Sequence, residues 1–215
     1  MSQAAASGHA TADVYESPLT PESWSKLAMW IFLAGDAMSF GGLLAAYGAL
    51  RYSMPSCTDP IQLPCWPMPS NVLGIALTGF MTFLLICSSV TMVKALAAIQ
   101  DGQPKRMCMF LGFTILGGII FLGLQAYEWS HLIHEGLALS HNPWGTSQFG
   151  TTFFMTTGFH GCHVFGGVCY LTTVLIKGLR GGFSATNYNG VETAGLYWHF
   201  VDLIWILVFT FIYLV

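Results

Sequence analysis

The chain has 215 residues, of which 54% are hydrophobic and only 8% are charged, and its formal net charge is −3. A soluble domain has about a quarter of its residues charged, and so few charged side chains cannot cover a water-exposed surface. The mean hydropathy of +0.61 therefore indicates an integral membrane protein, and the lack of a basic stripe argues against a nucleic-acid partner.

Five apolar stretches are long enough to cross a bilayer, which takes about 20 residues of helix. They cover residues 27–50, 72–97, 107–127, 151–176 and 194–215. Polar or proline-rich segments separate them, and these could not lie in hydrocarbon because their backbone groups would lack partners. We therefore predict an all-α polytopic membrane bundle with five transmembrane helices over residues 26–215. A polar tail without signal-peptide features precedes it at residues 1–25.

Basic residues predict the orientation, since cytoplasmic segments are enriched in Lys and Arg. With a cytoplasmic N-terminus, only Arg51 lies on the far side, and the other basic residues lie at cytoplasmic ends: Lys26, Lys94, Lys105, Arg106, Lys177 and Arg180. The C-terminus and the loops at 51–71 and 128–149 then face the periplasm. Cys57 and Cys65 share the first loop and could form a disulfide in an oxidising compartment.

Ionisable and amide side chains interrupt the apolar spans or lie at their ends. These are Asp36 in the first, Gln125 and Glu128 at the outer end of the third, His160 and His163 in the fourth, and His199 and Asp202 in the fifth. A charge at the bilayer centre costs about 2.5 to 3.5 kcal/mol on insertion scales, so such groups normally face protein or water and mark function. The three-residue interval in each of the last two spans predicts polar contact between those two helices.

Three interpretations fit these residues. Paired histidines on helices are common metal or haem ligands, but the thiolate pair of a dinuclear copper site is missing. A proton or ion relay is the second, although its members lie at different depths. The third, which we favour, is structural: the groups satisfy one another and hold phospholipid headgroups or a partner subunit. The histidines at 131, 134 and 141 with Glu135 resemble a metal cluster by count, but they fit a solvated amphipathic turn better.

Several motifs resemble one known family. GFHGCHV at residues 158–164 and LYWHFVDLIW at 196–205 resemble the GFHGxHV and WYWHFVDxVW signatures of subunit III of the haem-copper oxidases. LQAYEW at 124–129 resembles the family's LQxxEY element, and WIFLAGDAMSFGG at 30–42 resembles its helix with a buried acid. The resemblance covers nearly everything from Trp30 onward, and the chain is similar to the five-helix form that lacks the first two helices of longer members.

The resemblance implies a subunit with no catalytic or metal-binding residues and no redox cofactor of its own, while haem and copper belong to partner subunits. It implies packing against catalytic subunit I, together with subunit II and small subunits. It further implies structural phospholipids and support of proton uptake by an oxidase that reduces oxygen to water in a bacterial inner membrane.

Individual roles carry over by position. The resemblance implies phospholipid contacts, or packing around them, for His160, Glu192 and His199, and a place near the lipid cleft and oxygen route for Asp36. Aspartate is one methylene shorter than the family's glutamate, so a water or a moved helix would have to close that gap.

The electron donor follows from a weaker resemblance. The residues after Glu192 resemble the cytochrome c branch of the family more than the quinol branch. We therefore expect electrons from cytochrome c through the complex or a respiratory supercomplex. A bo-type quinol oxidase is the alternative, followed by a nitric oxide reductase accessory subunit or an independent transporter.

Overall fold

The computed structural model describes residues 23–57 and 65–215. The predicted tail at 1–25 lies almost wholly outside them. The described helices are α1 Trp24–Tyr52, α2 Pro69–Val72, α3 Ile75–Gln100, α4 Pro104–His134, α5 Ser147–Leu179 and α6 Asn189–Val208, which continues as a π-helix over Phe209–Leu214. Within this part of the chain, five helices are long and apolar enough to cross a membrane. This confirms the all-α, five-span prediction.

The helices extend beyond the apolar stretches that predicted them. The prediction of a loop over 128–149 was wrong at both ends, because α4 continues to His134 and α5 begins at Ser147. Hydropathy marks only the hydrocarbon core, about 30 Å thick, whereas helical hydrogen bonding continues into the interface. The 33 residues of α5 rise by about 50 Å at 1.5 Å per residue.

Glycine ends three of the long helices. Gly102, Gly136 and Gly181 follow α3, α4 and α5 with φ of 70°, 98° and 76°, the left-handed backbone conformation that other residues rarely adopt. Each glycine turns the chain out of its helix. The connection between α3 and α4 takes only residues 101–103, whereas longer segments, 135–146 and 180–188, join α4 to α5 and α5 to α6. These consecutive long helices pack against one another.

Four helices form a closed ring, and the first lies outside it. Helix α3 packs against α4 and α6, α4 packs against α5, and α5 packs against α6. Helix α1 makes most of its contacts with α5 and α6. It buries only three side chains, those of Leu33, Phe40 and Tyr47. Most of the surface of α1 is therefore available to lipid or to another protein.

Small residues let an indole fill the middle of the ring. Trp198 is 1% exposed, and its Nε1 donates a hydrogen bond to Ser88 Oγ at 3.0 Å. A Cβ at Gly118 would lie 2.6 Å from the Trp198 ring, and one at Gly167 would lie 2.9 Å from it. Close packing of this kind, rather than exclusion from water, holds helices together in lipid.

A disulfide joins Cys57 to Cys65 at one end of the bundle. We call this the disulfide end, and we call the opposite end, where α1 begins, the N-terminal end. The Thr146 backbone N–H donates to the Cys65 carbonyl at 2.9 Å, which fastens the disulfide loop to the segment that leads into α5. The side of the membrane that each end faces stays a prediction.

Candidate functional site

Glu128 is the centre of a buried polar cluster near the disulfide end. Its side chain is 4% exposed, Oε1 accepts a hydrogen bond from Thr78 Oγ1 at 2.9 Å, and Oε2 accepts one from Tyr213 OH at 3.1 Å. The carboxyl group therefore connects α3, α4 and the C-terminal π-helix. Gln125, one turn earlier on α4, is 5% exposed, and its amide lies near the Tyr213 hydroxyl without a well-aligned hydrogen bond.

His163 and Asp36 join α5 to the outer helix α1. His163 Nδ1 lies 2.8 Å from the Phe159 carbonyl, which can only accept, so this nitrogen carries the proton. His163 Nε2 lies 2.9 Å from Asp36 Oδ2, an ion-pair distance rather than a well-aligned hydrogen bond. The shorter aspartate thus reaches its partner directly, so this contact needs no bridging water.

His160 occupies a different environment from His163. It is 0% exposed, and its ring packs on the Trp205 indole with centroids 4.8 Å apart and meets the edge of Phe121 at 5.8 Å. Neither ring nitrogen has a hydrogen-bond partner in the described part of the chain. Since His160 is wholly enclosed, it is a buried polar residue and does not reach lipid.

His199 and Asp202 project from α6 toward α3 rather than toward the histidines of α5. His199 Nδ1 lies 2.5 Å from Ser89 Oγ, and Asp202 is 7% exposed in the same region, next to Ser89. The predicted polar contact between the paired groups of the last two spans is therefore wrong. The fourth span instead pairs with α1, and the fifth pairs with α3.

Glu192 lies at the N-terminal end in the first turn of α6, where the helix dipole favours a negative charge. Its Oε1 lies 2.8 Å from Lys26 Nζ, and both side chains are partly exposed. Next to this pair, Ser23 Oγ donates to Asn189 Oδ1 at 2.9 Å. These contacts fix the start of α1 against the start of α6.

Hydroxyl side chains on α3 are partners that the sequence did not predict. Thr78 bonds Glu128, Thr82 accepts from Trp205 Nε1 at 3.0 Å, and Ser88 accepts from Trp198. The signal was available, because hydroxyl residues recur along this apolar span at intervals close to the helical repeat. Each hydroxyl satisfies a polar group that would otherwise be unpaired in an apolar interior.

The fold and these contacts define a polytopic membrane bundle whose buried polar groups mostly tie helices together. Over residues 23–57 and 65–215, no three His, Cys, Asp or Glu side chains converge on a site that could hold a metal ion. The described residues provide contacts between helices, ionisable side chains that can bind protons, and surface grooves.

The comparisons with known proteins place this bundle in a family. The sequence profile described as "Cytochrome c oxidase subunit III" matches residues 11–215. The chain is 35% identical over 191 residues to "Cytochrome c oxidase subunit 3" of Bacillus sp. strain PS3, covering 87% of this chain and 84% of that relative. It is 38% identical over 186 residues to the protein of the same name from Synechocystis sp., covering 86% and 72%. "Quinol oxidase subunit 3" of Bacillus subtilis is 33% identical over 188 residues, covering 87% and 85%. The chain belongs to the cytochrome c oxidase subunit III family.

Proposed function

We propose that this chain is the non-catalytic subunit III of a proton-pumping haem-copper terminal oxidase in a bacterial inner membrane. In this role it stabilises subunit I, binds phospholipids and supports proton uptake, while oxygen is reduced to water at haem and copper centres in partner subunits. The observation that carries the proposal is the position of the histidines in the family signatures. His163 contacts Asp36 on α1, and His199 contacts Ser89 on α3, so both histidines connect helices.

Cytochrome c is the electron donor that we propose. The support is the resemblance around Glu192 together with relatives whose printed names are cytochrome c oxidase subunit 3. A quinol donor is the second candidate, because "Quinol oxidase subunit 3" of Bacillus subtilis is nearly as similar, at 33% identity. We expect the donor to bind other subunits of the complex.

A groove between α1 and α6 is the lipid site that we propose. It encloses about 540 Å³, and its lining is largely apolar: Trp30, Leu33, Ala34, Ala37, Leu196, His199, Phe200 and Leu203. Its lining begins one helical turn after Lys26 on α1 and one turn after Glu192 on α6. An acyl chain fits its apolar wall, and a zwitterionic headgroup would meet charges of both signs at the N-terminal end.

Filling the groove tests this site. Ala37 lines it, whereas Ala46, on the same helix, is also exposed but lines none of the described grooves. We expect Ala37→Phe to lower the number of phospholipids that remain in the purified oxidase and Ala46→Phe to leave it unchanged, as measured by native mass spectrometry. Equal phospholipid content in the two variants would remove the support for a lipid in this groove.

A further inference from the structure

Three buried side chains on α4 and α5 carry polar atoms that make no well-aligned hydrogen bond to the described residues. These atoms are Oε1 and Nε2 of Gln125, Oγ1 of Thr156, and Nδ1 and Nε2 of His160. The three residues are 5%, 1% and 0% exposed. Fewer than about one buried polar group in ten is left unpaired in folded proteins, so three neighbouring residues of this kind need an explanation.

The three side chains form one column between α4 and α5. Phe121 meets the His160 ring edge-on at 5.8 Å, which places these two residues at the same level. Gln125 lies one turn from Phe121 along α4, and Thr156 lies one turn from His160 along α5, both toward the disulfide end. Gln125 and Thr156 therefore occupy the next level of the column.

The column leads to Glu128 and then to the surface of the disulfide end. Glu128 lines a recess of about 340 Å³. The exposed side chains of His131 and Glu135, which lie 3.5 Å apart, also line this recess. On its inner side, Glu128 bonds Tyr213, whose ring lies 5.8 Å from the Phe153 ring, one turn before Thr156 on α5. Polar side chains therefore occur at successive levels between the recess and His160.

We propose that ordered water molecules fill this column and hydrogen-bond Gln125, Thr156 and His160. A buried polar group without a partner costs about 1 to 3 kcal/mol. The indole N–H of Trp205, whose ring packs on His160, is already bonded to Thr82, and the Phe121 ring has no hydrogen-bonding atom. Water provides both a donor and an acceptor, and a buried water typically makes about three hydrogen bonds. A neutral imidazole has one donor and one acceptor nitrogen, so it can join such a chain at both nitrogens.

The hydrated column gives two titratable side chains, Glu128 and His160, a shared hydrogen-bonded network. Water enters it from the recess, and protons can move along it between Glu128 and the interior. This site stands on the geometry of the bundle alone, and it does not depend on the role of the chain in an oxidase.

A pair of adjacent threonines tests the proposal. Thr156 and Thr157 are both buried, but Thr157 Oγ1 already donates to the Phe153 carbonyl at 2.7 Å. Valine has nearly the same shape as threonine and lacks the hydroxyl. In the protein purified from native membranes, with any subunits that accompany it, we expect Thr156→Val to lower the midpoint temperature for unfolding of this chain by more than Thr157→Val does. If Thr156→Val leaves that midpoint unchanged, raises it, or lowers it no more than Thr157→Val does, the hydroxyl does not bind water and the proposal is wrong.

A direct measurement complements the variants. A density map of the intact complex at a resolution that shows ordered water should contain a water within hydrogen-bonding distance of a His160 ring nitrogen, and a second one at Thr156 Oγ1. Empty space or protein atoms at both positions would overturn the proposal, whatever the stability of the variants.

Discussion

Substitution of Gly118 tests the packing of the ring most sharply. A Cβ at this position would lie 2.6 Å from Cη2 of Trp198 and 2.7 Å from Cγ2 of Val168. Carbon atoms pack best at about 3.5 to 4.0 Å, so the indole would have to move by roughly 1 Å. It is 1% exposed and hydrogen-bonded to Ser88, so such a movement would also disturb the link between α3 and α6.

The size of the effect follows from two opposing terms. Overpacking a close-packed interior costs about 1 to 3 kcal/mol, whereas replacing glycine by alanine in a helix returns about 1 kcal/mol. We therefore expect Gly118→Ala to destabilise the bundle by up to about 2 kcal/mol. Gly123→Ala is the matched control. Gly123 lies on the same helix, and a Cβ there would have no atom of another helix within 4 Å.

The assay is the fraction of this chain that stays in the purified complex, or stays folded in detergent micelles, as temperature rises. The Gly118→Ala transition should shift to lower temperature, and the Gly123→Ala transition should not. Equal transitions for the two variants would refute the close contact between Gly118 and Trp198.

Two further perturbations test the buried cluster and the loop. Glu128→Leu leaves the Tyr213 hydroxyl without its acceptor, which should cost about 1 to 3 kcal/mol, whereas Thr78 Oγ1 keeps the Gly74 carbonyl as an acceptor at 3.2 Å. Glu128→Gln keeps an acceptor oxygen and should retain much of the stability in thermal unfolding, and equal losses for Leu and Gln would contradict the hydrogen bonds at Glu128. Replacing Cys57 and Cys65 by serine opens a loop with a sequence separation of 8 residues, and we expect a loss of about 2 to 3 kcal/mol from the free energy of unfolding. A reductant should lower the free energy of unfolding of the wild-type protein by the same amount. Two free thiols at Cys57 and Cys65 in the unreduced, denatured chain would show that the disulfide is absent.

The sequence predicted the five spans because hydrocarbon leaves few other structures possible. A helix satisfies its own backbone in lipid, so a long apolar stretch is enough to identify a span. The ends of the helices were less predictable. The turn that contains His131 and Glu135 is polar, and hydropathy assigned it to a loop, but in the structure the helix continues through it to His134.

The partners of the buried groups could not be predicted from their spacing. Residues three apart on a helix differ by about 60° in direction, which is enough for His160 to point into the ring while His163 points to α1. The partner of His163 is Asp36, more than a hundred residues away, and only the position of α1 outside the ring brings the two together. Sequence alone identifies which side chains need a partner, while the packing of the helices decides which partner each one receives.

The central claim is that this chain supports an oxidase through contact with a haem-bearing partner. The most direct measurement is purification of the chain, tagged at one terminus, from native membranes in mild detergent, followed by optical spectra and an oxygen-consumption assay. We expect a haem-containing subunit to co-purify with it in constant proportion, together with oxygen-reducing activity. Recovery of the chain alone, without haem, from membranes that contain the intact oxidase would contradict the claim.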